Sequence, residues 1–423
     1  MKKSILSALC LLSVAAVSAH TSDSAKGGEA ISSSVTRYTF EDFNLHIFTS
    51  PEAMGDVTLL VEGKRGLVVF EPQSFYKSIA EFNTYAQSLG KPIKSIVANY
   101  HAGGLAECDL SKVVMVEPMV EFMASPMAQG MMKHFDSVFG GAMDTRSADV
   151  KHTIPVEGVQ KWAGVEFGFV SGAASDFPAS SVNIGNKVYY THFSPNKQHP
   201  SPMQLASRES VEHMLRDLIQ AKESGCELFI GSHGAVASID DVEFLIGYLE
   251  RMQELLTIHS ESDRFAQALM IEYPSLEGFE NIRAIAKAMY PDEVANAEVE
   301  AVRVRMQDYF DMISTLDMNI AKGLWAINDN VSFINPAKHL VGYDVIMESL
   351  TKMFSQLTYR KLSSLNEVIN IYGNSANVQL YWLFESTTAA GVSQQGRGRE
   401  SLIFEKIDDE WRLVHVHYSR MPQ

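Results

Sequence analysis

Cysteine is scarce, with three in 423 residues. Cys10 falls in an apolar N-terminal stretch, which leaves Cys108 and Cys226. The sequence is compatible with a disulfide between them and equally with two inert buried thiols. Basic residues are outnumbered, 35 Lys and Arg against 51 Asp and Glu, for a net charge of -16. With no Lys/Arg run either, a nucleic-acid partner is excluded, because a phosphate backbone is repelled by such a surface. Beyond the N-terminus no run of about 18 apolar residues occurs, so no membrane anchor is expected in the rest of the chain. Nucleophile elbows of the GxSxG type, Walker loops and dinucleotide fingerprints are missing as well. What is present is 46% hydrophobic and 10% aromatic residues. That is enough to bury a sizeable core, which rules out a disordered or fibrous chain, and the length predicts two or three domains.

Lys2 and Lys3, the apolar run Ile5–Val17 and the small residues Val17-Ser18-Ala19 have the pattern of a secretory signal peptide over residues 1–19. Its removal takes away two lysines and no acid and brings the charge to -18. The expected location is therefore periplasmic or secreted. Residues 20–35, rich in Ser, Gly and Ala, are expected to be a flexible leader.

From about residue 36 the pattern alternates. Thr36–Phe40 and Leu45–Phe48 read as strands, and Val57–Glu62 and Gly66–Phe70 as a hairpin. Ser78–Leu89 has helical spacing. Ser95–Ala98 and Val113–Val116 read as buried strands. Val165–Val170, Val182–Ile184 and Lys187–Thr191 follow, with Gly185-Asn186 as a hairpin turn. Ser210–Glu223 is an amphipathic helix, Glu227–Gly231 a strand, and Ile239–Leu256 and Asp263–Met289 are helical. Pro291 marks a linker over 291–297. Residues 298–423 begin with helices and end as a strand meander, an α+β pattern.

Four segments together resemble the metallo-β-lactamase fold: VTLLVEGKRGLVVFE (57–71), SIVANYHAGGL (95–105), VYYTHF (188–193) and FIGSHGA (229–235). Their order and spacing cover about residues 36–290, so the resemblance implies an α/β αββα sandwich. Ser95–Leu105 sits where that family carries HxHxDHxGG. Ile96, Ala98 and Tyr100 stand at the first His, second His and Asp, and only His101 with Gly103-Gly104 is retained. Asp176 falls at the next family His, His192 just before the bridging Asp, and His233 at the last His. At most His101, Asp176, His192 and His233 can meet, so a dinuclear centre is not expected. Such a set leaves either no metal, with His101 and His233 hydrogen-bonded to each other's loops, or a single zinc or iron ion with an open position. Tyr100 beside His101 reads either as a metal-free general acid or base or as a filler of the vacated space. Met115, Met119, Met123, Met127 and Met131 recur every four residues. Thioethers can bind Cu(I), but Pro118 and Pro126 break the run, and an adaptable apolar lining is the better reading.

Residues 298–423 resemble the SnoaL-like branch of the nuclear transport factor two-like superfamily. The resemblance rests on Trp325-Ala326-Ile327-Asn328-Asp329 before a strand, on Gly342 opening a helix and on the ending EWRLVHVHYS (410–419). It implies an α+β cone whose mouth holds small molecules and which can form a homodimer through its sheet. Alternation places Leu413, His415 and His417 on one face of the last strand. Those histidines, with Trp325, Tyr381 and Arg399, are the expected pocket residues, and the arginine would suit an acidic ligand. The expected protein is exported and binds a small molecule, with no cofactor and without dinuclear hydrolysis. The alternatives are a mononuclear metal-dependent hydrolase of esters or lactones, and a C-terminal domain that serves mainly in dimerisation.

Overall fold

The computed structural model describes residues 28–421 apart from 33, 53, 102, 173–176 and 292–295. The expected signal peptide, most of the leader, Asp176 and part of the expected linker lie outside the described residues. By contacts the chain divides into two compact units, Met1–Glu254 and Leu255–Gln423.

The first unit opens with a meander. Glu29–Ser32 (β1), Val35–Thr39 (β2), Asn44–Thr49 (β3), Val57–Gly63 (β4) and Gly66–Phe70 (β5) pair antiparallel in chain order. Ile93–Ala98 (β6), Val113–Val116 (β7) and His152–Ile154 (β8) then add in parallel. Helices cross between them: Tyr76–Ser88 (α1) between β5 and β6, and Glu117–Met123 (α2) and Pro126–Phe139 (α3) between β7 and β8. β5 is buried throughout, as are the first five residues of β4 and the last four of β6, as in strands covered on both faces. A second sheet, in the order β13-β12-β11-β10-β9, is built from Gly158–Trp162 (β9), Val165–Ser171 (β10), Ser180–Ile184 (β11), Val188–Phe193 (β12) and Leu228–His233 (β13). Gly185 and Asn186, both at positive φ, turn β11 into β12 as their sequence predicts.

Phe70 of the first sheet packs on Phe167 and Tyr190 of the second, at 6.4 and 4.7 Å between ring centroids. The two sheets therefore face each other across an aromatic core. On the other face of the first sheet, Phe82 of α1 meets Phe48 edge-on. Against the second sheet lies Arg208–Glu223 (α4), whose Asp217 accepts a hydrogen bond from Tyr189 at 2.8 Å. Met115 lies on β7 and the later methionines on α2 and α3, so the methionine repeat spans three elements. Both described cysteines are free thiols, Cys226 buried and Cys108 partly so.

The division between units falls inside a helix, Ile239–Ile258 (α5). The expected N-terminal domain ran to residue 290, but Ser262–Glu272 (α6) and Ile282–Met289 (α7) group with the C-terminal sheet. Polar contacts explain this. Arg283 pairs with Asp263 at 2.8 Å and with Glu367 at 3.4 Å, and Asn366 donates to the Phe279 carbonyl.

The second unit continues with Ala297–Thr315 (α8), Met318–Leu324 (α9) and Tyr343–Phe354 (α10). Its sheet has the order β15-β14-β19-β18-β17-β16 and comprises Ser332–Asn335 (β14), Lys338–Val341 (β15), Leu357–Tyr372 (β16), Ser375–Thr388 (β17), Ser393–Ile407 (β18) and Glu410–Arg420 (β19). One face buries Val378, Leu380, Trp382, Leu402 and Phe404 in a core shared with Val302, Met306 and Tyr309 of α8. Register shifts interrupt β16 between Leu365 and Val368, and the β18–β19 pair at Ile403/Phe404.

The second shift corrects the expected facing of the last strand. Ile403 pairs with His415 and Phe404 with Leu413, so Val414 is an extra residue, a β-bulge. Leu413 therefore shares the core face with Val416, not with the histidines; both are fully buried, whereas His417 is exposed. His415 and His417 lie on the outer face. Arg399 also points outward, exposed, opposite Tyr381, whose ring packs against Phe279 at 4.8 Å. Of the five expected pocket residues only Trp325 is inside, fully buried.

Candidate functional site

In the first unit the four segments singled out by sequence converge. The loop after β6 carries Tyr100 and His101, the end of β12 carries His192, and the end of β13 carries His233. Ligand nitrogens of the three histidines lie within 4.8 Å of one another. The Nε2 atoms of His101 and His233 are 3.0 Å apart. On its other side His233 places Nδ1 3.0 Å from the Met54 carbonyl and 3.8 Å from the Asp56 carboxylate. A carbonyl only accepts, so His233 donates from Nδ1, and its Nε2 lone pair faces His101. Asp176, the fourth expected member, lies outside the described residues.

Glu71, missed by the sequence reading, holds this loop in place. It ends β5 in the left-handed region at φ 58 and is fully buried. Its carboxylate accepts from the backbone N–H groups of Asn99, Tyr100 and His101 at 3.3, 2.7 and 3.0 Å, and from the Tyr190 hydroxyl at 2.9 Å. Burial nevertheless pushes this carboxyl up to about 7 against the pull of those donors. Gly104 closes the loop at φ 76, where a Cβ would lie 1.9 Å from the Gln73 carbonyl. An acid ending an apolar strand was the available signal for Glu71.

All three imidazoles are neutral near pH 7. Burial lowers His101 and His192 well below the ordinary histidine value, with charge on the neighbouring histidines adding to it. Burial also lowers His233, which Asp56 pulls partly back. His101 Nδ1 is buried without a hydrogen-bond partner. Tyr100 stacks on His192, 4.7 Å between centroids and 6° from parallel, and Phe177 packs edge-on against the same imidazole. Burial raises the Tyr100 phenol strongly, and its hydroxyl lies close to Gly172. A small cavity of ≈ 30 Å³ touches His192, Phe193, Met214 and Asp217; a larger one of ≈ 120 Å³ is lined by Val69, Ile96 and Cys108.

In the second unit a carboxyl is buried, that of Glu400, which the sequence reading passed over. It lies on the core face of β18 and accepts from the Tyr309 hydroxyl at 2.6 Å. Burial pushes its carboxyl up to about 7, although Tyr309 and the charge of Arg360 pull it down. The indole N–H groups of Trp325 and Trp382, both buried, have no acceptor.

The SnoaL-like domain family matches residues 302–423. A nuclear transport factor 2 (NTF2-like) superfamily protein from Salmonella enterica serovar Typhimurium is 31% identical over 30% of this chain and 95% of its own, with TM-score 0.29. A conserved protein from Planctomyces limnophilus is 18% identical over 30% of this chain and 98% of its own, with TM-score 0.27. An uncharacterized protein with a cystatin-like fold from Caulobacter vibrioides is 20% identical over 29% of this chain and 89% of its own, with TM-score 0.27. No curated protein matches the chain. No described helix is long and apolar enough to cross a membrane. Residues 302–423 are a SnoaL-like domain of the nuclear transport factor 2-like superfamily.

Proposed function

We propose that this is an exported two-part protein whose first unit is a metallo-β-lactamase-like sandwich holding one transition-metal ion on His101, His192 and His233, and that it hydrolyses a small ester or lactone. The carrying observation is the convergence of three imidazoles. Helix, sheet, sheet and helix in succession, and the four segments in family order, support the fold reading. Replacement of the first two family histidines by Ile96 and Ala98 argues for one ion, not two.

The donor set fits such an ion. With Nδ1 of His233 committed to Met54, the two Nε2 atoms face each other at 3.0 Å. If both are lone pairs they repel, unless a cation lies between them. If instead His101 donates from Nε2, its buried Nδ1 is left as an unpaired acceptor, which costs roughly 1–3 kcal/mol. Three imidazole nitrogens suit zinc or iron and leave a position open. When bound, the ion supplies a Lewis acid and an acidified water. The chain's own contribution is orientation: Met54 fixes the tautomer of His233, Tyr100 and Phe177 hold the plane of His192, and Glu71 sets the loop of His101.

The test is elemental analysis after chelator treatment and zinc addition. One zinc per chain is expected at this site, so His101→Ala and His233→Ala should each bind one zinc fewer than wild type and lose hydrolysis of model esters and lactones. Wild-type protein that takes up no metal would leave the His101–His233 contact as a plain hydrogen bond and end this reading.

A second reading concerns the SnoaL-like domain. Two buried indole N–H groups without acceptors favour a small acceptor-bearing molecule inside that domain. Trp382→Phe would weaken its binding, and unchanged ligand-dependent fluorescence in that variant would count against it.

A further inference from the structure

The outer face of the third sheet carries a second group of histidines. Register places His339 of β15, Ile334 of β14 and His417 of β19 in one row across three adjacent strands. Directly paired residues point to the same side of a sheet. His415, two residues before His417, shares that side and pairs with Ser332. Its facing is the result of the bulge at Val414. His339 and His417 are exposed and His415 is partly buried. The rings of His415 and His417 are 6.4 Å apart.

The Ser332 hydroxyl lies 2.7 Å from Nδ1 of His415. It occupies that nitrogen and leaves Nε2 for another partner, as an outer hydrogen bond does for a metal-binding imidazole. His339 and His417 are two strand spacings apart, roughly 10 Å. An ion above Ile334 lies within an imidazole's length and a metal–nitrogen bond of about 2.0–2.1 Å of each. The two exposed rings need only rotate about their own side-chain bonds to reach it.

We propose that His339, His415 and His417 bind a divalent zinc or copper ion on the outer face of the SnoaL-like domain, independently of the His101 cluster. Three imidazoles select borderline transition metals over calcium or magnesium, which prefer oxygen ligands. The remaining coordination positions face solvent and take water.

Calorimetric titration of the metal-free full chain with zinc chloride at pH 7.5 tests the proposal. Two ions per chain are expected in wild-type protein. His339→Ala and His417→Ala should each weaken the outer ion at least tenfold and leave the other unchanged. His101→Ala combined with His233→Ala should remove the inner ion and keep the outer one. Both outer positions are exposed, so their variants should keep the wild-type thermal midpoint in chelator, which controls for folding. Zinc binding that is identical in wild type, His339→Ala and His417→Ala overturns the proposal. A single ion removed by His417→Ala would support the outer site and sink the inner one. A single ion removed only by the His101/His233 changes would do the reverse, and no ion at all would sink both.

Discussion

Glu400 shows how one buried side chain sets a pH dependence. Its carboxyl sits near 4.5 when unperturbed and is pushed up to about 7 in the folded protein. Between those values the folded state keeps a proton that the unfolded state has released. This contribution is complete below about 4.5 and is lost as the pH rises through about 7. Glu400→Gln keeps an acceptor for Tyr309 and removes the charge. It is expected to stabilise residues 255–423 at pH 8 by about 1–3 kcal/mol, from roughly 1.4 kcal/mol per pKa unit, and to flatten the fall between pH 5 and 8. Urea unfolding at both pH values checks this; parallel curves for wild type and variant would mean that Glu400 is ionised in the fold. His101, His192 and His233 act with the opposite sign. Their lowered values leave the imidazoles neutral, so the stability they contribute is present above about 6.5 and is lost as the pH falls. Glu400 was legible in principle, because Gly398, Glu400, Leu402 and Phe404 share a face and only one of them is acidic. His101, His192 and His233 were singled out by the family resemblance of their segments, and they lie at the ends of three strands.

Among the elements, those with a clean period were readable. The helix at 208–223 and the strands β2–β7 and β10–β13 fall within a few residues of their expected positions, whereas β1 forms inside the stretch expected as a flexible leader and β8 and β9 were not expected. The bulge in β19 was not readable, because an inserted residue leaves the alternation of side chains intact on either side and shifts only its phase. Its effect on stability is measurable. Leu413, fully buried, should cost about 2–5 kcal/mol when changed to Ala. His417→Ala, on the solvent side, should stay within about 0.5 kcal/mol in metal-free protein. Equal losses would restore the facing expected from simple alternation. Gly104 is the comparable element in the first unit. Gly104→Ala forces a Cβ into the Gln73 carbonyl and should destabilise the first unit by about 1–3 kcal/mol or more, measured by thermal unfolding of the full chain.

At the scale of the whole molecule, length predicts two domains or three, and the chain divides into two compact units at 254/255, not near residue 298 where the pattern changes. The affiliation of α6 and α7 was not legible, since amphipathic helices do not name the surface they cover. Arg283 and Asn366 bind these helices to the strand that follows them by some eighty residues in sequence. A fragment of residues 255–423 should therefore melt higher than one of 297–423, which leaves Glu367 with Arg303 alone and Asn366 without the Phe279 carbonyl. Equal midpoints in calorimetry would show that the helices add nothing.

Glu71 has a consequence of this larger kind. It ends a strand of the first sheet, takes the Tyr190 hydroxyl from the second, and holds three successive amides of the loop between them. Those amides cannot open singly without stranding a buried carboxyl. Their hydrogen exchange should be slow and should follow the global opening of the unit, with or without metal. The histidine loop would then belong to the most protected part of the unit, unlike the mobile loops that commonly surround binding sites.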